Sequence, residues 1–175
     1  ELIAGVRIEH TDQGYTLKFP TENAAPEGNQ RYTDILPSFH AKYAIHSNGN
    51  LRFSYARAIN RPSFFEIVPY SIINEDYKEK GNPELKHTVA DNIDLRYEFF
   101  PRSSEQLMVG LFYKNIKDPI EYGLLNEGQD TYYKPMNFGT ANNWGLEVDI
   151  LKYFNWLGIK ANYTYTYSKI TTENV

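Results

Sequence analysis

The chain has 175 residues, no cysteine and a formal net charge of −4, with 18 Lys plus Arg against 22 Asp plus Glu. The lack of cysteine excludes disulfide scaffolds, thiol catalysis and thiolate metal sites, and the acidic balance argues against a nucleic acid partner. Aromatic residues make up 15% of the chain, with 15 Tyr and 10 Phe, which favours β-structure and surfaces that are apolar on one side and wet on the other.

Seven segments alternate between apolar and polar residues, which predicts β-strands with one apolar and one polar face. In one of them Ile93 and Leu95 share a face, while Asp94 and Arg96 occupy the other. In chain order the segments lie near residues 2–11, 34–46, 51–59, 88–100, 105–117, 132–152 and 158–170.

The connections between these strands alternate in length. The stretches "SNGN" (47–50), "PRSS" (101–104) and "FNWLG" (154–158) read as tight turns, whereas residues 12–33, 60–87 and 118–131 form long connections. Short turns at one end and long loops at the other are typical of outer-membrane barrels. Alternating faces also suit a soluble β-sandwich, so the strands alone leave both architectures open and the turn lengths favour the barrel.

We find no pattern of catalytic or metal-binding residues, and the sequence predicts neither an enzyme nor a cofactor. The four histidines are scattered without zinc-ligand spacing: His10, His40, His46 and His87. There is no nucleophile elbow, phosphate loop or dinucleotide fingerprint. The pair Glu147 and Asp149 is expected to be solvated on a polar strand face. The acidic stretch "NEDYKEK" (74–80) could hold calcium, although a solvated loop is the favoured interpretation.

Three stretches resemble the C-terminal half of the barrel of TonB-dependent outer-membrane receptors, especially those of Bacteroidetes. They are "LRFSYARAINRPSFFEIVPY", "GNPELKHTVADNIDLRYEFFP" and "LMVGLFYKNIKDPIEY", and they carry the family's elements in order at residues 61–64, 81–85 and 112–120. The stretch "NFGTANNWGLEVDI" resembles the strand that follows. The residues of these elements that we expect to be structural are Arg61, Pro62, Gly81, Asn82 and Pro83.

The resemblance implies an all-β fold: an antiparallel up-and-down meander belonging to a transmembrane barrel of about 22 strands closed by a plug. Residues 1–175 would be a partial barrel domain of about seven strands. The plug, the TonB box and the final strand are expected to lie outside it. An open sheet of this kind has two bare edges and is not expected to be a stable soluble monomer.

The implied function is energised uptake of a scarce ligand across the bacterial outer membrane, such as an iron chelate, a glycan, a peptide or cobalamin. The implied partners are outer-membrane lipid, an unknown small ligand, and the TonB complex through the missing N-terminal part. Nothing in "TENAAPEGNQ" or "GLLNEGQD" distinguishes among the ligands.

The apolar and aromatic stretch "INRPSFFEIVPY" (59–70) is expected at the outer rim of the barrel, where the loop folds inward over the barrel mouth. Pro62 and Pro69 would end strand pairing because neither donates to a ladder. Aromatic loop side chains can stack on ligands, so we take as ligand-binding candidates Phe64, Phe65, Tyr70, Tyr77, Tyr122, Tyr132 and Tyr133.

Two other functions stay open on the residues alone. One is a soluble secreted β-sandwich or barrel that binds a ligand such as carbohydrate, whose apolar faces would meet in a closed core. The other is a structural or adhesive surface protein with similar strands but no channel. An N-terminal plug and a final strand that ends in Phe would favour transport over both.

Overall fold

The computed structural model of the protein describes residues 1–20, 24–73, 77–127 and 130–172. Its elements, in chain order, are β1 (Leu2–Thr16), β2 (Glu27–His46), β3 (Gly49–Asn60), α1 (Phe64–Ile67), β4 (Ser71–Ile73), β5 (Lys78–Lys80), β6 (Thr88–Phe99), β7 (Gln106–Lys117), β8 (Ile120–Glu127), β9 (Asp130–Asn137), β10 (Thr140–Phe154) and β11 (Leu157–Thr171).

The long strands form one antiparallel sheet of seven strands in the order β1-β2-β3-β6-β7-β10-β11. Each strand pairs with the next long strand along the chain. This confirms the predicted all-β antiparallel meander. The sheet is open, because β1 and β11 are its two edges.

The register places apolar side chains side by side on one face of the sheet, here called the apolar face. One row crosses five strands and consists of Phe53, Leu95, Leu111, Leu146 and Tyr165. Of these, Leu95 is 40% exposed and Leu111 is 54% exposed. A continuous exposed apolar band of this kind suits lipid and would be a liability in water.

Toward the end of the sheet that carries the long loops, the apolar band gives way to aromatic and then polar side chains. The next row is Tyr55, Ile93, Tyr113, Trp144 and Tyr167, and the row beyond it is Arg57, Asp91, Asn115, Asn142 and Lys169. Two pairs of the polar row are hydrogen-bonded, with Arg57 Nε 2.9 Å from Asp91 Oδ1 and Asn115 Nδ2 2.9 Å from Asn142 Oδ1. This order matches the aromatic girdle of a membrane interface.

The opposite face, here called the polar face, carries charged pairs between neighbouring strands. Arg52 Nε lies 2.7 Å from Glu98 Oε1, and Arg96 Nη2 lies 3.5 Å from Glu147 Oε2. The exposed Arg96–Glu147 pair contributes little stability, whereas the Glu98 carboxylate of the other pair is buried. The significance of both pairs is that one face of the sheet is wet while the other is apolar.

The short turns gather at one end of the sheet, where a buried carboxylate links the β6–β7 connection to the end of β10. Glu105, which is 2% exposed, accepts hydrogen bonds from Lys152 Nζ at 2.9 Å and from the Tyr153 N–H at 3.2 Å. The β10–β11 turn places Asn155 at φ 43°, a left-handed conformation that Asn tolerates better than most residues. The predicted tight turns are confirmed.

At the other end, two strands leave the sheet together, and the predictions for this region were wrong. Residues 132–152 are two strands, not one, and the expected loop 118–131 contains β8. The break occurs where Asp118 (φ 52°) donates its N–H to the Gly139 carbonyl at 3.0 Å and Gly139 has φ 41°. The hairpin of β7 and β10 therefore bends and continues as β8 and β9.

This bent hairpin joins the loop between β3 and β6 in a second sheet, ordered β4-β5-β9-β8, in which β5 and β9 pair in parallel. The strands β1 and β2 are also longer than predicted and pair as far as Thr16 with Glu27. Beyond the apolar band, β1 and β2 need no apolar face. Their sequence there lacks the alternation of apolar and polar residues from which a strand is predicted. Cross-strand polar contacts hold them, such as Arg31 Nη2 to Asp12 Oδ2 at 2.6 Å.

The loop between β3 and β6 lies over the polar face of β1 and β2. The Arg61 guanidinium binds the Glu9 carboxylate and the Thr11 hydroxyl. Pro62 is buried, and its carbonyl accepts a hydrogen bond from Gln13 at 3.3 Å. Hydrophobic packing then anchors the loop, since Ile67 and Leu85 are each 2% exposed.

Further contacts fix the returning part of this loop to β2. Gln30 Nε2 donates to the carbonyls of Pro83 and Leu85, both at 2.8 Å. The His87 ring stacks on the Tyr32 ring at 4.0 Å and lies 2.9 Å from Asp34 Oδ1. The loop is thus folded inward over the polar face.

The Gly81-Asn82-Pro83 element has a steric and a hydrogen-bonding role. A Cβ on Gly81 would lie 1.8 Å from the Val68 carbonyl oxygen, so only glycine fits there. The buried Asn82 side chain donates to the Pro135 carbonyl at 2.8 Å and accepts from the Glu84 N–H at 3.2 Å. Because Pro135 belongs to β9, Asn82 joins the two long loops.

Acid is expected to weaken the turn end of the sheet. The Lys152 ammonium holds the pKa of Glu105 below its ordinary value of 4.5. Since the folded pKa lies below the unfolded one, this stabilisation is complete above pH 4.5 and is lost as the pH falls through the folded value. We expect Glu105→Gln to lower the unfolding temperature at neutral pH and to shrink its decrease in acid, measured on the intact protein in detergent. An unchanged acid dependence, alongside the exposed control Glu121→Gln, would contradict this role.

Asn82→Ala is expected to loosen the two loops without unfolding the barrel. It leaves the buried Pro135 carbonyl unpaired, at a cost of about 1–3 kcal/mol. Limited proteolysis of the intact protein should cut residues 61–87 faster, while heat-modifiable migration on a gel stays unchanged. Asn126→Ala, an exposed site in the neighbouring loop, is the control. Equal cleavage of both variants would rule out the bridging role.

Candidate functional site: a tyrosine cleft between two loops

The second sheet presents a cleft lined by Tyr77, Glu79, Tyr122 and Tyr133, with a volume of about 350 Å³. The register explains why these side chains meet. Glu79 pairs with Tyr133 across β5 and β9, and Tyr122 pairs with Pro135 on the other side of β9. Since alternate residues of a strand share a face, these side chains project from the same side of the sheet. We call this site the tyrosine cleft.

The rings of the tyrosine cleft are open to solvent and held at right angles. The Tyr77 and Tyr133 centroids are 5.3 Å apart with an interplanar angle of 88°. Tyr77 is 43% exposed, Tyr122 is 50% exposed and Tyr133 is 38% exposed. Edge-to-face packing is a favoured aromatic geometry, so these rings form a stable corner that a ligand can reach.

Carboxylates give the tyrosine cleft a negative character. The Tyr70 hydroxyl donates to Glu79 Oε1 at 2.5 Å. Burial, together with that hydrogen bond, raises the pKa of Tyr70 far above its usual range. Burial and the nearby Glu66 and Glu79 carboxylates raise the pKa of Tyr122. Both phenols therefore stay neutral at physiological pH.

A short helix positions Glu66. In α1 the Ser63 N–H donates to Glu66 Oε2 at 2.6 Å, and the Ser63 hydroxyl accepts from the Glu66 N–H in a capping box. The Glu66 carbonyl in turn accepts from the Asn82 N–H at 2.6 Å. The family-like Gly81-Asn82 element thus also supports the helix beside the tyrosine cleft.

The structure brings together four of the seven aromatic residues predicted from the sequence. Tyr77, Tyr122 and Tyr133 line the tyrosine cleft and Tyr70 binds its carboxylate. The second sheet, of β4, β5, β9 and β8, is called the loop sheet below. Tyr132 is buried on its other face, and Lys80 Nζ lies 4.0 Å above the Tyr132 ring.

The remaining two candidates, Phe64 and Phe65, lie apart from the tyrosine cleft. They are exposed on α1 and pack edge to face at 6.3 Å. Glu79 and Glu66 were not predicted as site residues. The spacing of Glu79 two residues after Tyr77 was the signal available for the first.

Other charged groups already have structural partners. Asp149 accepts from Gln106 at 2.7 Å, His10 contacts Thr33 and His87 contacts Asp34. Among the described residues, no group of three or more His, Asp or Glu is arranged to hold a metal ion. Residues 74–76 of the acidic stretch considered for calcium lie outside the described residues. Within the described ranges no helix has the length and apolar character needed to cross a bilayer.

Solved structures with a similar fold include outer-membrane receptors. The siderophore receptor PirA from Pseudomonas aeruginosa matches with a TM-score of 0.71 and 19% identity, over 82% of this chain and 30% of that one. The ferric enterobactin receptor PfeA from the same organism matches with a TM-score of 0.65 and 20% identity, over 80% and 23%. The hemophore receptor HasR from Serratia marcescens matches with a TM-score of 0.71 and 13% identity, over 95% and 31%.

Because these identities are 20% or lower, the structural likeness establishes the fold alone. The chain spans 30% of the length of PirA and 31% of the length of HasR. A comparison with curated protein sequences finds no match. The model of the outer membrane protein beta-barrel family matches residues 1–175. The apolar band, the aromatic row and the polar opposite face of the sheet agree with this match. The chain belongs to the outer membrane protein beta-barrel family.

Proposed function

We propose that residues 1–175 are part of the barrel wall of a TonB-dependent outer-membrane receptor that takes up a scarce ligand. The ligand classes that stay open are iron chelates, glycans, peptides and cobalamin. The fold shared with siderophore and hemophore receptors supports the proposal. The family match supports a location in the outer membrane.

The two faces of the sheet fit this role. The apolar band meets lipid, and the polar face with its Arg52–Glu98 and Arg96–Glu147 pairs lines the interior. The loop between β3 and β6 covers part of that polar face, as a loop at a receptor mouth does. A soluble carbohydrate-binding module is not favoured, because four of the five side chains in the row of Leu111 remain exposed instead of meeting in a core: Phe53, Leu95, Leu111 and Tyr165.

The tyrosine cleft is the part of the chain that we propose contacts the ligand. The observation that carries this proposal is the convergence of Tyr77, Tyr122 and Tyr133 from two separate loops into one open cavity. Two loops held in one sheet lose less freedom on binding than two independent loops would. A preformed aromatic surface of this size is suited to a small ligand.

Uptake would require a plug and energy coupling to TonB through parts of the protein outside residues 1–175. This is a proposal about the intact protein. It is tested by measuring whether the periplasmic domain of TonB binds the purified intact protein, and whether candidate-ligand uptake stops in cells that lack TonB. Uptake that continues without TonB would contradict the proposal.

Removing aromatic rings from the tyrosine cleft is expected to weaken ligand binding by about tenfold or more, since buried aromatic contacts are common binding hot spots. Cells that depend on the intact protein are first tested for growth on iron chelates, glycans, peptides and cobalamin, each as the limiting nutrient. Affinity for the active ligand is then measured with the double variant Tyr77→Ala, Tyr133→Ala.

The matched control is Tyr163→Ala, which removes an exposed ring from the apolar face of β11. Heat-modifiable migration shows whether each variant still forms the barrel. The cleft assignment fails if the folded double variant binds the ligand as tightly as the Tyr163→Ala control does.

A further inference from the structure

The tyrosine cleft has the elements of an aromatic cage. The perpendicular Tyr77 and Tyr133 rings, 5.3 Å apart, form two walls, and Tyr122 forms a third side. Rings at right angles offer a corner, whereas a flat sugar ring stacks best on a single broad platform. A compact group that approaches this corner contacts more than one ring.

A carboxylate completes the cage. Glu79 lines the same cavity and is held in place by the Tyr70 hydroxyl at 2.5 Å. The Glu66 carboxylate contributes to the raised pKa of both Tyr70 and Tyr122. The cavity therefore combines the electron-rich faces of aromatic rings with full negative charge.

The basic residues of the same sheet are placed on its other face. Lys78 and Lys80 alternate with Glu79 in β5, and Lys134 alternates with Tyr133 in β9. Lys80 Nζ lies over Tyr132, which is itself on that face. These three lysines therefore lie on the side opposite the tyrosine cleft, together with Glu121 of β8, whereas Glu79 lies on the cleft side.

We propose that the tyrosine cleft binds a cationic group, an ammonium or guanidinium, on the ligand. Ring faces attract a cation through their quadrupole, and the Glu79 carboxylate adds a charge-assisted contact. An anionic group in the same place would face the Glu79 carboxylate, whereas Lys78, Lys80 and Lys134 of the described loop sheet lie on its other face. The inference deepens the proposed function and rests on the assignment of this cleft to the ligand.

The test uses the intact protein in detergent and a pair of probes matched in shape. Choline carries a quaternary ammonium, and 3,3-dimethyl-1-butanol is its neutral carbon isostere. We expect choline to bind at least about tenfold more tightly than the isostere, because only the charged probe gains the cation–π and carboxylate terms. Binding is followed by saturation-transfer NMR and calorimetry.

Two variants locate the binding. Tyr133→Ala removes one wall, and Glu79→Gln removes the charge while retaining an oxygen that can accept from Tyr70. Each is expected to weaken choline binding by about tenfold. The controls are Tyr163→Ala on the apolar face of β11 and Glu121→Gln at an exposed position of β8, and both should bind choline as the parent does.

Equal binding of the two probes would overturn the cage, and so would choline binding that is unaffected by Tyr133→Ala and Glu79→Gln. The outcome is separable from that of the proposed function. If choline binds as expected but the cleft variants take up the transported ligand normally, the cage stands and the role in uptake fails. If the variants lose uptake while choline does not bind, the role in uptake stands and the cationic class is wrong.

Discussion

Within hydrocarbon, every backbone N–H and C=O must find a partner inside the protein, and this constraint organises the seven-stranded sheet. It requires long strands paired with their neighbours throughout the apolar band. It also fixes the register, because a slip of one residue would turn apolar side chains into the wet interior. The rows of side chains across the strands follow from that requirement, from the apolar row of Leu111 to the polar row of Asn115 near the long loops.

Where the apolar band ends, the constraint is relieved and the chain uses other devices. Asp118 and Gly139 take left-handed conformations opposite each other, so two strands bend out of the sheet while staying paired. Amide side chains then replace the regular ladder. Asn82 bridges to β9, and Asn137 bonds the Lys86 backbone on both sides, donating at 3.0 Å and accepting at 2.8 Å. The two loops become one body.

Because the two loops form one folded unit, a site built on them can have a fixed geometry. The tyrosine cleft takes residues from both loops, and its geometry depends on the parallel pairing of β5 with β9. The same sheet separates the Lys80 side from the Glu79 side. Ligand binding at the proposed site would benefit from such preorganisation, because less conformational freedom is lost when the ligand binds.

The sequence by itself determined the seven barrel strands and the short turns, because a lipid-facing strand must alternate and a tight turn needs residues such as Asn155. It also predicted structural roles for Gly81 and Asn82, through their resemblance to a known pattern. It could not locate β8 or the break at Gly139, since outside the apolar band no burial requirement imposes a period on the residues. Only the tertiary structure decided which aromatic residues meet. Tyr132 and Tyr133 are adjacent in sequence yet point to opposite faces, and only the pairing of β9 with a distant loop placed Tyr133 beside Tyr77 and Glu79.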